Sequence, residues 1–128
     1  KILATAHLDE QTGIDLTTSL LCTFPGDRQA VLTCSFELEF QSSLEISGND
    51  GRISIRRAFS AKHFETEILL RRKDKIESIR FEPVDQFQLM IEHFVQAIRG
   101  RVKPLLDFND SYGNALAIET ALRQIQVR

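Results

Sequence analysis

One change of period divides this chain. Up to Glu82 apolar and polar residues alternate, and after Pro83 the apolar ones recur at helical spacing. Alternation marks strands with one covered face, and a recurrence near 3.6 marks amphipathic helices. A run of strands followed by helices predicts an α+β layer.

The alternation is clearest in the first third. Ile14, Leu16, Leu20, Cys22 and Phe24 fall on one side, and Asp15, Thr17, Ser19, Leu21 and Thr23 on the other. After Pro25-Gly26-Asp27-Arg28 the pattern resumes. Ala30, Leu32, Cys34, Phe36, Leu38 and Phe40 share one side; Val31, Thr33, Ser35, Glu37 and Glu39 share the other. This is a long hairpin. Its two apolar faces coincide only if paired residues have numbers of equal parity, which requires an odd loop of three or five residues containing Gly26.

Leu44–Ser47 and Arg52–Ile55 form a second hairpin around Gly48-Asn49-Asp50-Gly51, where Gly and Asn are expected to supply positive φ. Glu65–Arg72 and Lys75–Glu82 form a third around Lys73-Asp74. With an opening strand near Ile2–His7, the expectation is a mainly antiparallel open sheet of about six or seven strands with helices on one face, followed by two C-terminal helices. Phe87, Met90, Ile91, Phe94, Val95 and Ile98 make the stripe of the first helix, which Gly100 stops. Pro104 keeps the next segment extended. Asp110 or Ser111 is expected to cap the second helix, whose stripe is Ala115, Ile118, Leu122 and Ile125.

At 128 residues the chain suits one domain, 1–128, able to bury a core without metal or disulfide. A net charge of −2 gives no pull toward nucleic acid or anionic membrane. No apolar run approaches a membrane span and no signal peptide is visible, so the expected compartment is the cytoplasm. The chain opens directly on the apolar Ile2-Leu3-Ala4, which reads as a cut in a longer protein. Cys22 and Cys34 fit no zinc or redox spacing and read as small buried hydrophobes.

No dinucleotide-binding glycine motif, phosphate loop or nucleophile elbow occurs. His7, His63 and His93 are far apart, with no metal-ligand spacing. His93 reads as a helix-flank residue and His63 as a surface loop residue. His7 ends the first strand, and strand ends are where such domains meet ligands, so it is the substrate-side candidate. Arg71, Arg72, Lys73 and Lys75 read as a solvated turn that protects sheet edges, since Asp74 and Glu77 interrupt them and no aromatic residues interleave. Arg56-Arg57 is a second basic pair, also read as surface. The side of the long hairpin carrying Thr17, Ser19, Leu21, Thr23, Val31, Thr33 and Ser35 is small, weakly polar and nearly uncharged. A solvated sheet face carries more charge than this, so these seven residues are candidates for a homodimer interface.

Several segments together resemble the Gfo/Idh/MocA oxidoreductases. They are Ile14-Asp15-Leu16 through Leu20, Phe24-Pro25-Gly26 on to Ser35, and Leu44 to Ile53 with its glycine turn. The closing stretch His93–Gly100, Pro104, Asp110-Ser111 and Asn114-Ala115-Leu116 is similar as well. The resemblance implies a two-domain enzyme whose N-terminal Rossmann domain, outside this chain, binds NAD or NADP. The sheet domain would supply part of the substrate wall and the oligomer interface. Hydride transfer to or from a sugar or polyol would use a lysine and a histidine that lie before Lys1, so no catalytic, cofactor or metal residue is assigned here. By this reading the chain alone binds no cofactor. The alternative is a stand-alone binding or assembly module without redox activity. A phosphate- or nucleic-acid-binding domain using the arginine turns is the third reading.

Overall fold

The computed structural model describes residues 1–59 and 62–125. Seven strands come first: β1 (Ile2–Leu8), β2 (Asp15–Phe24), β3 (Arg28–Ser35), β4 (Ser43–Gly48), β5 (Gly51–Arg56), β6 (Thr66–Arg72) and β7 (Lys75–Phe81). Two helices follow, α1 (Gln86–Ile98) and α2 (Phe108–Ile125). All strand pairs are antiparallel, and the fold class is α+β. Pairing divides the strands into two sheets, β1-β2-β3 and β4-β5-β6-β7. The division has a local cause. Alternation predicts a hairpin running on to Phe40, but β3 stops at Ser35, whose Oγ accepts from the backbone N–H of Glu37 and Leu38 at 3.0 and 3.3 Å. This hydroxyl-centred turn competes with strand continuation.

Contacts group the chain into two units, Lys1–Glu39 with Leu105–Arg128, and Phe40–Pro104. In the first, Phe24 pairs with Arg28, so the loop is Pro25-Gly26-Asp27, an odd loop of three as the parity argument requires. Gly26 and Asp27 take φ of 74° and 59°, the left-handed conformations a tight bend here needs. Even-numbered residues of β1, β2 and β3 then share one face and odd-numbered residues the other. Ile2, Ala4 and Ala6 are half-buried while Leu3, Thr5 and His7 are exposed, so the face that α2 covers is the even one.

Helix α2 departs from expectation twice. Its cap is Asp107, whose Oδ1 accepts from the N–H groups of Asn109 and Asp110 at 2.8 and 3.1 Å; Asp110 returns the bond by accepting from Asp107 N–H at 3.3 Å. That is a reciprocal capping box, three residues earlier than Asp110 itself. Of the expected stripe only Ile125 lies on the less exposed side; Ala115 is exposed, and Ile118 and Leu122 stay 54 % and 44 % exposed. The less exposed side carries Ala117, Thr120, Ala121 and Ile125. Small side chains let the helix approach the alanines of β1, and Ala121, 6 % exposed, is the one buried residue among those described. Cys34 is exposed and Cys22 half-buried, so neither is the buried hydrophobe expected. Each sheet has at most one helix layered on it within its unit, too little to enclose a core.

In the second unit, register gives the sheet two unlike faces. Leu44, Ile46, Ile53, Ile55, Ile68 and Leu70 share one; Glu45, Arg52, Ser54, Glu67 and Arg71 share the other. The β4–β5 turn has Asn49 and Asp50 between paired Gly48 and Gly51, and none of the four has positive φ. Glycine is needed at 51 for another reason: a Cβ there would collide with the backbone carbonyl of Arg71 on β6. Helix α1 is capped by Asp85, which accepts from Phe87 and Gln88 N–H at 3.1 and 3.3 Å and pairs with Lys62 Nζ at 2.7 Å. Lys62 and these N–H bonds hold its carboxyl below the usual aspartate range. Gly100, at φ 69°, ends α1 as expected. The stripe of α1 is exposed, from Phe87 at 57 % to Ile98 at 70 %, except for half-buried Val95.

Two glycines make opposite predictions. Gly51→Ala should destabilise the chain by about 1–3 kcal/mol, because the backbone carbonyl it meets cannot rotate away. Gly113→Ala, in α2 with open space around it, should stabilise by about 0.5–1 kcal/mol. Urea unfolding midpoints read both, and equal shifts of one sign would refute the close approach.

Candidate functional site: the odd face of the three-stranded sheet

Register unites the substrate-side candidate with the interface candidates. His7 pairs with Thr17 and Thr17 with Ser35; Thr5 pairs with Ser19 and Ser19 with Thr33; Leu3 pairs with Leu21 and Leu21 with Val31. These are three rows across one face, with Thr23 one step further along β2 beside Gln29. All seven hairpin candidates and His7 therefore look out from the same side, opposite α2. A depression of about 290 Å³ lies among Leu3, Thr5, Ser19, Leu21 and Val31.

The polar groups of this face bond chiefly to one another. Thr17 Oγ1 and Ser35 Oγ are 2.6 Å apart, and Ser19 Oγ and Thr33 Oγ1 are 3.1 Å apart. Thr17 Oγ1 also lies 3.2 Å from Glu37 Oε2, and His7 Nδ1 lies 3.0 Å from the same oxygen. Glu37 follows β3 and is held by the Ser35 turn, so the bend that ends the strand also aims this carboxylate at His7. The bond requires the proton on Nδ1, facing the carboxylate. The imidazole remains 64 % exposed. The bond from His7, then that from Thr17, keeps the Glu37 carboxyl below the usual glutamate range against an opposing desolvation effect.

Beyond β1 the chain turns on Asp9, whose Oδ1 accepts from Thr12 N and Thr12 Oγ1, each at 2.7 Å. The Thr12 hydroxyl chiefly lowers the Asp9 pKa. The turn closes through Gly13 at φ 71° and returns β2 beside β1.

Sequence reasoning missed the His7–Glu37 contact. Alternation places Glu37 on the right side of the hairpin but predicts a strand that continues through it. The remaining histidines lie elsewhere, His63 in the loop before β6 and His93 half-buried on α1. Arg57, at φ 54°, sits over the Phe64 ring at 3.7 Å. Among the described residues, no group of three or more His, Cys, Asp or Glu could hold a metal ion, and no helix is long and apolar enough to cross a membrane.

No family model matches the chain. An uncharacterized oxidoreductase of Rhizobium meliloti is 35 % identical over 105 residues, covering 77 % of this chain and 31 % of that protein. The dTDP-3,4-didehydro-2,6-dideoxy-alpha-D-glucose 3-reductase of Saccharopolyspora spinosa is 29 % identical over 97 residues, 75 % of this chain and 29 % of its own length. The chain thus spans about a third of these relatives. Among solved structures, the 3-ketoreductase KijD10 of Actinomadura kijaniata, crystallised with TDP-benzene and NADP, superposes with a TM-score of 0.79 at 21 % identity over 98 % of this chain and 39 % of that one. The aldose-aldose oxidoreductase of Caulobacter crescentus gives 0.80 at 16 % identity over 98 % and 38 %. The fold is that of a part of these oxidoreductases.

The Glu37 shift has a measurable sign. A carboxylate whose pKa is lower folded than unfolded stabilises the fold fully above its unfolded value, and that contribution is lost as pH falls through the folded one. Replacing His7 by Ala should move the Glu37 carboxyl back up toward the usual glutamate range in an NMR titration. An unchanged titration would disprove the contact.

Proposed function

We propose that this chain is the C-terminal, substrate-side domain of an NAD(P)-dependent oxidoreductase of the Gfo/Idh/MocA type. Its substrate is a sugar or polyol that exchanges a hydride with nicotinamide. The observation that carries this reading is the 35 % identity to an oxidoreductase along 77 % of the chain. The 3-reductase named for a dTDP-sugar supports a sugar substrate, and the NADP in the KijD10 crystals supports a nicotinamide cofactor. In this reading the Rossmann domain of the parent protein binds the cofactor, and the present chain contributes the substrate wall and the subunit contact.

The subunit contact we assign is the odd face of the three-stranded sheet, paired with a second copy. Burying a polar group costs free energy when its hydrogen bonds to water are not replaced. On this face the Thr17–Ser35 and Ser19–Thr33 hydroxyls already satisfy each other, so covering them strands few donors. Leu3, Leu21 and Val31 supply the apolar part, Val31 being 76 % exposed. His7 then belongs to the subunit contact and reaches a substrate only where the contact borders one.

Two experiments test the reading. Ser19→Lys with Thr33→Lys should leave a folded monomer by light scattering, and a variant that remains dimeric sinks the interface. NADH or NADPH titrated into this chain alone should give no saturable fluorescence enhancement; saturation would move the cofactor site into these residues.

A further inference from the structure

The β4–β5 and β6–β7 hairpins end side by side, because β5 and β6 are neighbours in the four-stranded sheet. Register sets Arg52 directly opposite Arg71, and Ser47 directly opposite Arg52, so all three share one face. Lys73, at φ 50°, opens the adjoining turn. From sequence, Arg71 and Lys73 belong to a solvated tip; the structure adds Arg52 from a different hairpin.

Like charges at facing positions of an antiparallel pair destabilise it unless an anion offsets them. The chain supplies little such charge. Glu45 Oε2 lies 3.5 Å from Arg52 Nη1, at the limit of a hydrogen bond, and Ser54 Oγ lies equally far from the same oxygen. Glu67, further along the face, is occupied by Ser78 Oγ at 2.6 Å and Arg80 Nε at 3.4 Å. Among the described residues, no carboxylate lies within ion-pair distance of Arg71 or Lys73. An open hollow of about 400 Å³ lies at the two tips, and its charged lining is Arg52, Arg71 and Lys73 against Asp50. The absent side chain at Gly51 brings the β4–β5 turn against the Arg71 backbone and narrows the gap between hairpins.

We propose that this hollow binds the phosphate or diphosphate group of a small molecule. Guanidinium forks match phosphate oxygens in bidentate geometry, and a lysine adds a point charge. Three cations, of which only Arg52 has a carboxylate partner among the described residues, Glu45 at 3.5 Å, lie against Asp50 in the lining and suit a multiply charged anion better than a single carboxylate. No aromatic residue lines the hollow, so it offers no stacking surface for a nucleic-acid strand. The proposal uses only the unit Phe40–Pro104 and holds whether or not the parent protein is an oxidoreductase.

Calorimetric titration of pyrophosphate into the 128-residue chain at low salt tests it. One saturable site is expected, weakened at least tenfold by Arg71→Ala and severalfold by Lys73→Ala, and unchanged by Arg123→Ala in the other unit. Circular dichroism checks that each variant is folded. Lys73 lies in an exposed turn, so Lys73→Ala decides the matter if Arg71→Ala fails to fold. Absence of saturable binding, binding by Lys73→Ala within twofold of the parent chain, or equal weakening by all three variants would overturn the site.

Discussion

The three-residue turn Pro25-Gly26-Asp27 governs the first unit, because strand register has only two outcomes for a face. An odd loop pairs residues of equal parity. It thereby places every hydroxyl of Thr17, Ser19, Thr33 and Ser35 on one side and Leu16, Leu20, Cys22, Ala30 and Leu32 on the other. A loop one residue longer or shorter would mix the two sets, break the hydroxyl pairs and set polar groups under α2. The β1–β2 pairing then carries the same parity to His7, which brings its imidazole to Glu37. The site and the covered face are two consequences of one bend.

The second constraint is how little each sheet is covered. Helix α2 meets β1 through small residues, and the stripe of α1 is exposed apart from half-buried Val95. A two-layer domain buries its sheet face under helices or a second sheet. The apolar faces here are therefore suited to further protein, in keeping with a chain that spans about a third of its oxidoreductase relatives. In the proposed parent enzyme, the odd face would meet a second copy.

Much of the fold was legible in the sequence because it depends on short-range periods. All seven strands, the odd turn at Gly26 and the stop at Gly100 follow from alternation, parity and glycine chemistry. What was not legible depended on competition between local bonds. Ser35 ends β3 early by capturing the Glu37 and Leu38 N–H groups, which alternation alone does not reveal. Asp107 caps α2 ahead of Asp110 because a reciprocal box satisfies more donors than a single cap. The packed side of α2 went to alanines, since close approach outweighed side-chain size. The facing of Arg52 and Arg71 was hidden for another reason: it needs the pairing of two hairpins, a long-range fact that no local pattern contains.

The central claim is that these residues form the C-terminal part of a nicotinamide-dependent oxidoreductase. Sequencing the native gene upstream of the Lys1 codon tests it most directly. An in-frame glycine-rich βαβ unit, then a lysine-bearing motif and a histidine-bearing helix, are expected before Lys1. A start codon immediately before Lys1, or an unrelated upstream domain, would contradict the account and leave a sheet built for binding or assembly.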